Sequence, residues 1–298
     1  MQRVLPHLWF DSNAEEAAHF YVSLFKNSKV KAMSHYGKEG FEIHGRPAGS
    51  VLTVAFELAG QEFVALNGGP VFTLNPSISF FANCATEEES DALWEKLSDG
   101  GKVLMEYQEY PFSKKYGWLN DKYGLSWQIM LMPSEQKITP SLMFVGKKAG
   151  KVEEAIKFYT SIFENSKINM ISRYEKGEGD VEGYVKFASF RLAGQEFAAM
   201  ESTGPHQFDF SPAVSLLVEC NDQKELDMYW DKLKEGGDER AQQCGWLADK
   251  YGVSWQDAPN GMEEMMKGAL TEKTERVMKE LLKMKKLDIA ALEKAYKG

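Results

Sequence analysis

The sequence GWLNDKYGLSWQ at residues 117–128 returns as GWLADKYGVSWQ at residues 245–256, with ten of the 12 positions identical. The repeat distance of 128 residues is far longer than the roughly 20–50 residues typical of solenoid arrays. A period of this length indicates two copies of one domain-sized sequence in a single chain.

Shorter matches extend the repeat outward from this motif. Ala59–Phe63 and Ala193–Phe197 are identical, and Phe20-Tyr21 returns as Phe158-Tyr159. The other matched pairs are Asn27–Lys29 with Asn165–Lys167, Cys84 with Cys220, and Trp94 with Trp230. The offset between matched blocks changes along the chain, and its last change is a shortening of the segment Val103–Lys115 in the second copy. Insertions and deletions therefore fall where loops are expected.

The matches predict where the domains begin and end. We expect a first domain at residues 1–132, a linker at 133–138, a second domain at 139–258 and a helical C-terminal tail at 259–298. The two domains are expected to pair with each other within one chain, which would allow a monomer or a homodimer.

Each copy contains the pattern of one strand, one helix and three strands twice. In the first module, Ser12 or Asn13 is expected to cap a helix that runs from Ala14 to Phe25. Thr86 is expected to cap the helix of the second module, and Asp288 that of the last helix in the tail. The predicted fold is α+β, with four βαβββ modules.

The composition excludes several functional classes. Net charge is −9, from 35 basic and 44 acidic residues, so the chain lacks the basic surface of a nucleic-acid binder. The sequence has no apolar run long enough to span a membrane. The only cysteines, Cys84, Cys220 and Cys244, form no CxxC pair, which predicts a reduced, cytoplasmic protein without a disulfide framework.

These motifs resemble the PhnB-like branch of the glyoxalase, or vicinal oxygen chelate, superfamily, often labelled demethylubiquinone methyltransferase-like. The resemblance rests on the paired modules, on residues 8–17 (LWFDSNAEEA), on Gly100-Gly101 and on the repeated motif. It implies a glyoxalase/bleomycin-resistance-like fold with two tandem cup-shaped domains, each made from two modules that face each other. Members bind a small substrate in the cup, frequently through a divalent metal.

The same resemblance indicates where metal ligands would lie. On the first strand the position is His7, which Ser141 replaces in the second copy. The other candidate positions are Ser77 or Ala213 on the fifth strand, Gln128 or Gln256 on the last strand, and Asn67 or Glu201 near the end of the fourth. The first copy could thus group His7 with Asn67 and Gln128, and the second Glu201 with Gln256. An amide binds divalent metals weakly compared with a carboxylate, so we expect no metal cofactor; His7 is the only credible metal ligand.

A metal-free cup suits a small aromatic or oxygen-rich metabolite. Strand alternation places His7 and Trp9 on one face. The predicted ligand-binding residues are His7, Trp9, Asn67, Ser77, Gln128, Glu201 and Gln256. Trp127 and Trp255 are expected to face the helices, whereas Trp118 and Trp246 could face either way. Because the two copies differ most at the pocket positions, one pocket is expected to be active and the other structural or specific for a different ligand.

Alternative functions remain open at this point. The sequence has neither a GxSxG nucleophile elbow nor a phosphate-binding P-loop. Antiparallel-type modules without a glycine-rich first loop argue against a methyltransferase. The main alternative is a metal-dependent lyase, isomerase or dioxygenase that uses the His7 domain, and a scaffold with vestigial pockets is a third possibility. The partner expected is a small molecule, not nucleic acid or a membrane.

Overall fold

The computed structural model describes residues 3–268 and 270–298. The strands are β1 (Val4–Phe10), β2 (Lys29–His35), β3 (Val51–Leu58), β4 (Gln61–Asn67), β5 (Ile78–Cys84), β6 (Lys102–Tyr110), β7 (Ser113–Asn120), β8 (Ser126–Leu131), β9 (Ile138–Val145), β10 (Lys167–Arg173), β11 (Val185–Leu192), β12 (Gln195–Ser202), β13 (Val214–Cys220), β14 (Asp238–Gln243), β15 (Trp246–Ala248) and β16 (Ser254–Pro259). The helices are α1 (Ala14–Leu24), α2 (Phe41–His44), α3 (Glu87–Ser98), α4 (Val152–Ile162), α5 (Gln223–Leu233), α6 (Met262–Met266), α7 (Glu272–Leu281) and α8 (Ile289–Lys297).

The strands form two mixed sheets of eight strands each. One sheet has the order β14-β15-β16-β13-β1-β4-β3-β2, and the other has the order β10-β11-β12-β9-β5-β8-β7-β6. Within a module the first and last strands pair in parallel, as β1 does with β4, whereas the first strands of two modules pair antiparallel, as β1 does with β13. The predicted α+β fold of four βαβββ modules followed by tail helices is confirmed.

Each sheet takes one module from each sequence copy. Unit 1 comprises Met1–Thr73 with Pro212–Gly298, and unit 2 comprises Leu74–Ser211. The repeat boundaries 1–132 and 139–258 therefore delimit sequence copies rather than these compact units. The expectation that the two modules of one copy face each other in a cup is corrected: the first module of one copy completes its sheet with the second module of the other.

The short linker explains this arrangement. Only residues 132–137 separate β8 from β9, and both strands flank β5 in the same sheet. Sequential elements joined by short connections usually lie side by side. The second module of the first copy thus pairs with the first module of the second copy, in a register that places Ser79 opposite Ser141.

The repeated motif determines the fold through one buried aspartate. Asp121 accepts hydrogen bonds from the backbone N–H groups of Tyr123 (2.8 Å) and Leu125 (3.1 Å), and from Trp127 Nε1 (2.9 Å). Gly124 completes the turn with φ of +90°, a conformation that favours glycine. The carboxylate thus fixes the turn into β8 and holds the Trp127 indole in the core, as predicted for this side chain.

The second copy repeats this arrangement around Asp249. Its Oδ2 accepts from Trp255 Nε1 at 2.9 Å, and its Oδ1 accepts from the backbone N–H of Tyr251 at 2.8 Å. Trp127 and Trp255 are both completely buried. The conserved part of the motif is therefore the turn and its tryptophan, which explains why it is the longest match between the copies.

Helix capping follows the sequence only in part. Thr86 accepts from the Glu89 N–H and Asp288 from the Ala291 N–H, as predicted. The predicted cap of α1 by Ser12 or Asn13 is wrong, because Asn13 makes no side-chain cap and the Ala14 N–H instead donates to Asn67 Oδ1 at 2.8 Å. The N-terminus of α1 is therefore held by the end of β4.

The tail belongs to unit 1. Its helices α7 and α8 bury Val277 and Leu292, and Leu287 between them is also buried. Within residues 3–268 and 270–298, no helix is both long and apolar enough to cross a membrane. The tail is thus a packing element, as its amphipathic pattern predicts.

Candidate functional site

The candidate site of unit 1 lies on the cup face of its sheet. The β1–β13 register places His7 opposite Ser215, and the β15–β16 register places Trp246 opposite Gln256. The His7 ring meets the Trp246 ring edge-on, with centroids 5.5 Å apart. We call this group, together with Trp9, cup 1.

Cup 1 contains polar atoms without protein partners. Gln256 Nε2 donates to Ser215 Oγ at 2.8 Å. His7 Nδ1 is buried and has no hydrogen-bond partner among the described residues. For Gln256 Oε1 and Trp246 Nε1 the described part of the chain likewise supplies no hydrogen bond, and neither residue is exposed. Cup 1 therefore offers an acceptor, a donor and an imidazole to a bound molecule.

Burial determines the charge state of His7. The side chain is 5% exposed, and desolvation lowers its pKa from 6.5 to about 3. His7 is thus neutral at physiological pH, since burial disfavours the imidazolium. A neutral imidazole presents one donor and one acceptor nitrogen, so it can bind either an oxygen or a hydroxyl group.

Trp9 closes one side of cup 1 and is itself held rigidly. Its Nε1 donates to the Gly69 carbonyl at 2.7 Å, and its ring packs edge-on against Phe72 (4.9 Å) and Trp246 (6.0 Å). A Cβ at Gly68 would lie 2.2 Å from the indole, so only glycine allows this close approach. The glycine pair after β4 thus positions an aromatic wall.

Unit 2 has the same layout with different chemistry, and we call its site cup 2. Ser141 takes the place of His7 opposite Ser79, and Trp118 lies opposite Gln128. Gln128 Nε2 donates to Ser79 Oγ at 2.8 Å, while Gln128 Oε1 accepts from Tyr116 Oη at 2.6 Å.

The polar groups of cup 2 are largely paired within the protein. Trp118 Nε1 donates to Ser126 Oγ at 2.7 Å, so this indole is engaged. Burial raises the pKa of Tyr116 far above its usual range, which keeps the phenol a hydrogen-bond donor to Gln128. The exceptions are Ser141 Oγ and, on the same face of the sheet, Asn83 Oδ1 and Asn120 Oδ1, which are buried without a partner in the described residues.

Aromatic and methionine side chains fill the rest of cup 2. Its floor consists of Phe81, Tyr116 and Ala198, and the partly buried side chains packed on that floor are Met105, Tyr110, Trp118, Met130, Phe187 and Met200. Phe81 and Phe187 meet edge-on at 6.2 Å. Cup 2 is therefore apolar and largely occupied by its own side chains.

Asn67 and Glu201, both predicted as pocket residues, face the helices instead. Asn67 holds α1 through Ala14, and its Nδ2 donates to the Val51 carbonyl at 3.0 Å. Glu201 Oε2 accepts from the backbone N–H groups of Gly150 (2.6 Å) and Val152 (3.2 Å) at the start of α4. The two equivalent residues therefore organise a helix N-terminus, and their polar groups are engaged by backbone atoms.

Ser77 is buried where the chain enters β5, and its carbonyl accepts from the Met143 N–H at 2.8 Å. Its counterpart Ala213 receives the Trp9 N–H in the same way, also at 2.8 Å. This position thus contributes a backbone acceptor in both copies, whichever side chain it carries.

The structure groups the predicted residues across the two copies. His7, Trp9 and Gln256 lie together in unit 1, whereas Gln128 lies in unit 2. The expected grouping of His7 with Asn67 and Gln128, and of Glu201 with Gln256, is corrected. Their roles as ligand contacts stay predictions.

Sequence reasoning missed the two serines that anchor the glutamines. Ser215 and Ser79 occupy equivalent strand positions, two residues after Ala213 and Ser77, and alternation puts them on the same face as those positions. Both copies carry serine at this position, and this match was the feature of the sequence that could have identified it. Trp246, which could have faced either way, faces His7.

The donor set fits a metal poorly. Cup 1 offers one imidazole, an amide and a hydroxyl, and cup 2 offers an amide and hydroxyls. Among residues 3–268 and 270–298, no three His, Cys, Asp or Glu side chains gather in a way that could hold an ion. Catalytic zinc sites usually have three protein ligands of these types.

The cysteines do not provide a nucleophile for either cup. All three are free, and burial raises the pKa of Cys84 to about 11 and that of Cys220 further. A protonated thiol is a weak nucleophile. Cys84 and Cys220 therefore act as small buried residues.

Comparison with known proteins agrees with the two-copy organisation. The family model described as 3-demethylubiquinone-9 3-methyltransferase matches residues 2–130 and again residues 136–257. A PhnB protein from Bacillus cereus is 43% identical, with a TM-score of 0.40, over 44% of this chain and 99% of that protein. None of the curated proteins matches the chain.

The fold is also that of glyoxalase I. The Zea mays enzyme has a TM-score of 0.55 at 12% identity, covering 86% of this chain and 93% of that protein. This likeness confirms the predicted glyoxalase-type fold with cup-shaped domains. The chain belongs to the 3-demethylubiquinone-9 3-methyltransferase family, the PhnB-like branch of the glyoxalase superfamily, in two tandem copies.

Proposed function

We propose that the protein binds a small, neutral, oxygen-bearing aromatic molecule in cup 1 without a metal. The observation that carries the proposal is the unpaired, buried Nδ1 of His7 beside Trp246 and Gln256. Buried polar groups are usually hydrogen-bonded, so a partner from outside the protein accounts for these atoms. Aromatic walls with a few convergent polar groups are typical of small-molecule sites.

The ligand is expected to be uncharged. His7 is neutral, and the other cup 1 side chains named above are an amide, a hydroxyl and indoles. A charged ligand would lose its hydration without gaining a counter-ion. An oxygen acceptor can pair with Trp246 Nε1 and a ligand hydroxyl with Gln256 Oε1.

Cup 2 is proposed to be structural. Its glutamine and tryptophan are paired internally, and its aromatic and methionine side chains pack on one another. Buried polar atoms without a partner in the described chain lie on this face too, namely Ser141 Oγ and, by strand alternation, Asn83 Oδ1 and Asn120 Oδ1. The internal pairing of the glutamine and the tryptophan is therefore the difference that supports the hypothesis of one active pocket.

The family name does not imply methyl transfer by this chain. The sheets are built from βαβββ modules with antiparallel module pairing, whereas the usual methyltransferase fold presents a glycine-rich loop after a parallel strand. We therefore propose a binding role, in the cytoplasm, where free cysteines persist.

The proposal can be tested by titrating the whole chain with 2-naphthol and catechol in a calorimeter. We expect one site per chain. Trp246→Phe, which removes the indole N–H, should weaken binding about tenfold, whereas the matched cup 2 change Trp118→Phe should leave it unaltered. His7→Ala should weaken binding similarly.

Two other outcomes would overturn the proposal. Two equal sites per chain, or equal effects of the two tryptophan substitutions, would contradict a single active cup. Elemental analysis after incubation with zinc, iron, manganese or nickel provides the second test. Stoichiometric metal that is lost in His7→Ala would favour the metal-dependent alternative.

A further inference from the structure

The segment between the end of α6 and the start of α8 touches both edges of the sheet of unit 1. The edge strands of this sheet are β2 and β14. Beyond β2, the Lys38 N–H donates to Glu275 Oε1 at 2.9 Å. At the end of β14, Gln243 Nε2 donates to the Leu282 carbonyl at 3.0 Å. The segment therefore connects the two edges of the sheet that carries cup 1.

The second anchor lies directly beside a wall of cup 1. The N–H groups of Cys244 and Gly245 donate to the carbonyls of Met284 (2.8 Å) and Lys285 (2.7 Å). The next residue along the chain is Trp246, whose ring contacts His7. Movement of the segment would thus free the backbone that positions this indole.

Unit 2 covers the same place with its own hairpin. There β6 and β7 continue to Tyr110 and Ser113, and the Tyr110 and Phe112 rings pack on Tyr116 at 5.5 and 5.0 Å. Tyr116 is the counterpart of Cys244 in the repeat. The second copy has lost this length of hairpin, and residues 284–285 occupy the free edge instead.

The remaining contacts of the segment are polar contacts with α5 and apolar packing by the buried side chains Val277 and Leu287. Gln223 bonds the Leu287 carbonyl (3.1 Å) and the Ile289 N–H (2.8 Å), and Lys286 pairs with Asp227. Exposed ion pairs contribute little to stability. A cover held this way can open without unfolding the sheet beneath it.

We propose that residues 271–289 form a detachable strap that controls access to cup 1. The role of the strap in ligand binding rests on the proposed function. Its opening does not, since access to His7 can be measured without a ligand. The strap opens at the Cys244–Gly245 anchor and at the Glu275 anchor, whereas in unit 2 the β6–β7 hairpin lies at this place.

The test uses diethyl pyrocarbonate, which modifies neutral imidazoles, with peptide mass spectrometry to follow each histidine. Met284→Cys places a cysteine beside the native Cys244, so that oxidised glutathione can lock the strap. We expect modification of His7 to be about tenfold slower in the locked than in the reduced protein, because the rate follows the open population. His19, exposed on α1, is the internal control.

Glu275→Gln provides the opposite perturbation. It weakens the anchor on Lys38 and Glu39, and His7 should then react several-fold faster than in the wild type, at an unchanged His19 rate. Equal His7 rates in the locked, reduced and Glu275→Gln proteins would overturn the proposal. If the disulfide does not form, an unchanged His7 rate in Glu275→Gln alone refutes it. Neither result bears on whether catechol binds.

Discussion

Asp257 gives the most demanding test of the reasoning about burial. It occupies the position of Ile129 in the repeat and, like Trp255, faces the helix side of the sheet. The side chain is completely buried, and neither carboxylate oxygen has a partner in the described residues. Desolvation raises its pKa well above 3.8. The folded chain therefore holds a proton that the unfolded chain releases.

The sign and size of the pH effect follow from this difference. Because the folded state binds more protons than the unfolded state, stability falls as pH rises above the unfolded pKa, and the fall ends at the folded pKa. The slope is about 1.4 kcal/mol per pH unit for one proton. Asp257→Asn keeps the shape and removes the proton equilibrium, so this slope should disappear.

The assay is urea unfolding followed by tryptophan fluorescence at about pH 5 and about pH 6. Relative to Asp257→Asn, the wild type should lose stability between these two conditions, by at most about 1.4 kcal/mol for one pH unit. Asp99→Asn, at an exposed position, controls for the loss of one carboxyl group. Asp257→Ile restores the residue of the other copy and should stabilise the protein by about 1–3 kcal/mol. Parallel pH profiles for wild type and Asp257→Asn would refute the reasoning.

Three further substitutions test the scaffold by thermal or urea denaturation. Gly68→Ala should cost about 1–3 kcal/mol, because its Cβ would collide with Trp9; an unchanged melting temperature would contradict that packing. Glu201→Gln should cost about 1–3 kcal/mol, since an amide cannot accept from all the backbone N–H groups that the carboxylate holds. Tyr116→Phe should cost about 1–3 kcal/mol by leaving Gln128 Oε1 unpaired, and a neutral result would show that water replaces the phenol.

Local features were predictable because their causes are local. Thr86 and Asp288 cap helices through N–H groups three residues away, and the Ser-Trp-Gln triplet alternates as a strand must. The cap of α1 was mispredicted because its acceptor, Asn67, lies 53 residues from Ala14. No spacing rule connects those two positions.

The site was predictable only by position along each strand. His7 and Gln256 were identified as cup-facing candidates from single strands, but their pairing depends on which modules share a sheet. The sequence repeat favoured pairing within a copy, whereas the short linker forces pairing across copies. Asn67 and Glu201 were misplaced for a related reason: residues at the end of β4 or β12 can serve either the cup or the helix behind it, and only the packed helix shows which.

Pairing across copies changes how the two cups can diverge. In a chain with two copies, cup 1 combines His7 of the first copy with Trp246 and Gln256 of the second. Cup 2 combines Ser141 of the second copy with Trp118 and Gln128 of the first. A substitution in either copy therefore changes one cup without changing the other. The fold-determining aspartates are retained in both copies, while His7 of cup 1 is replaced by Ser141 in cup 2.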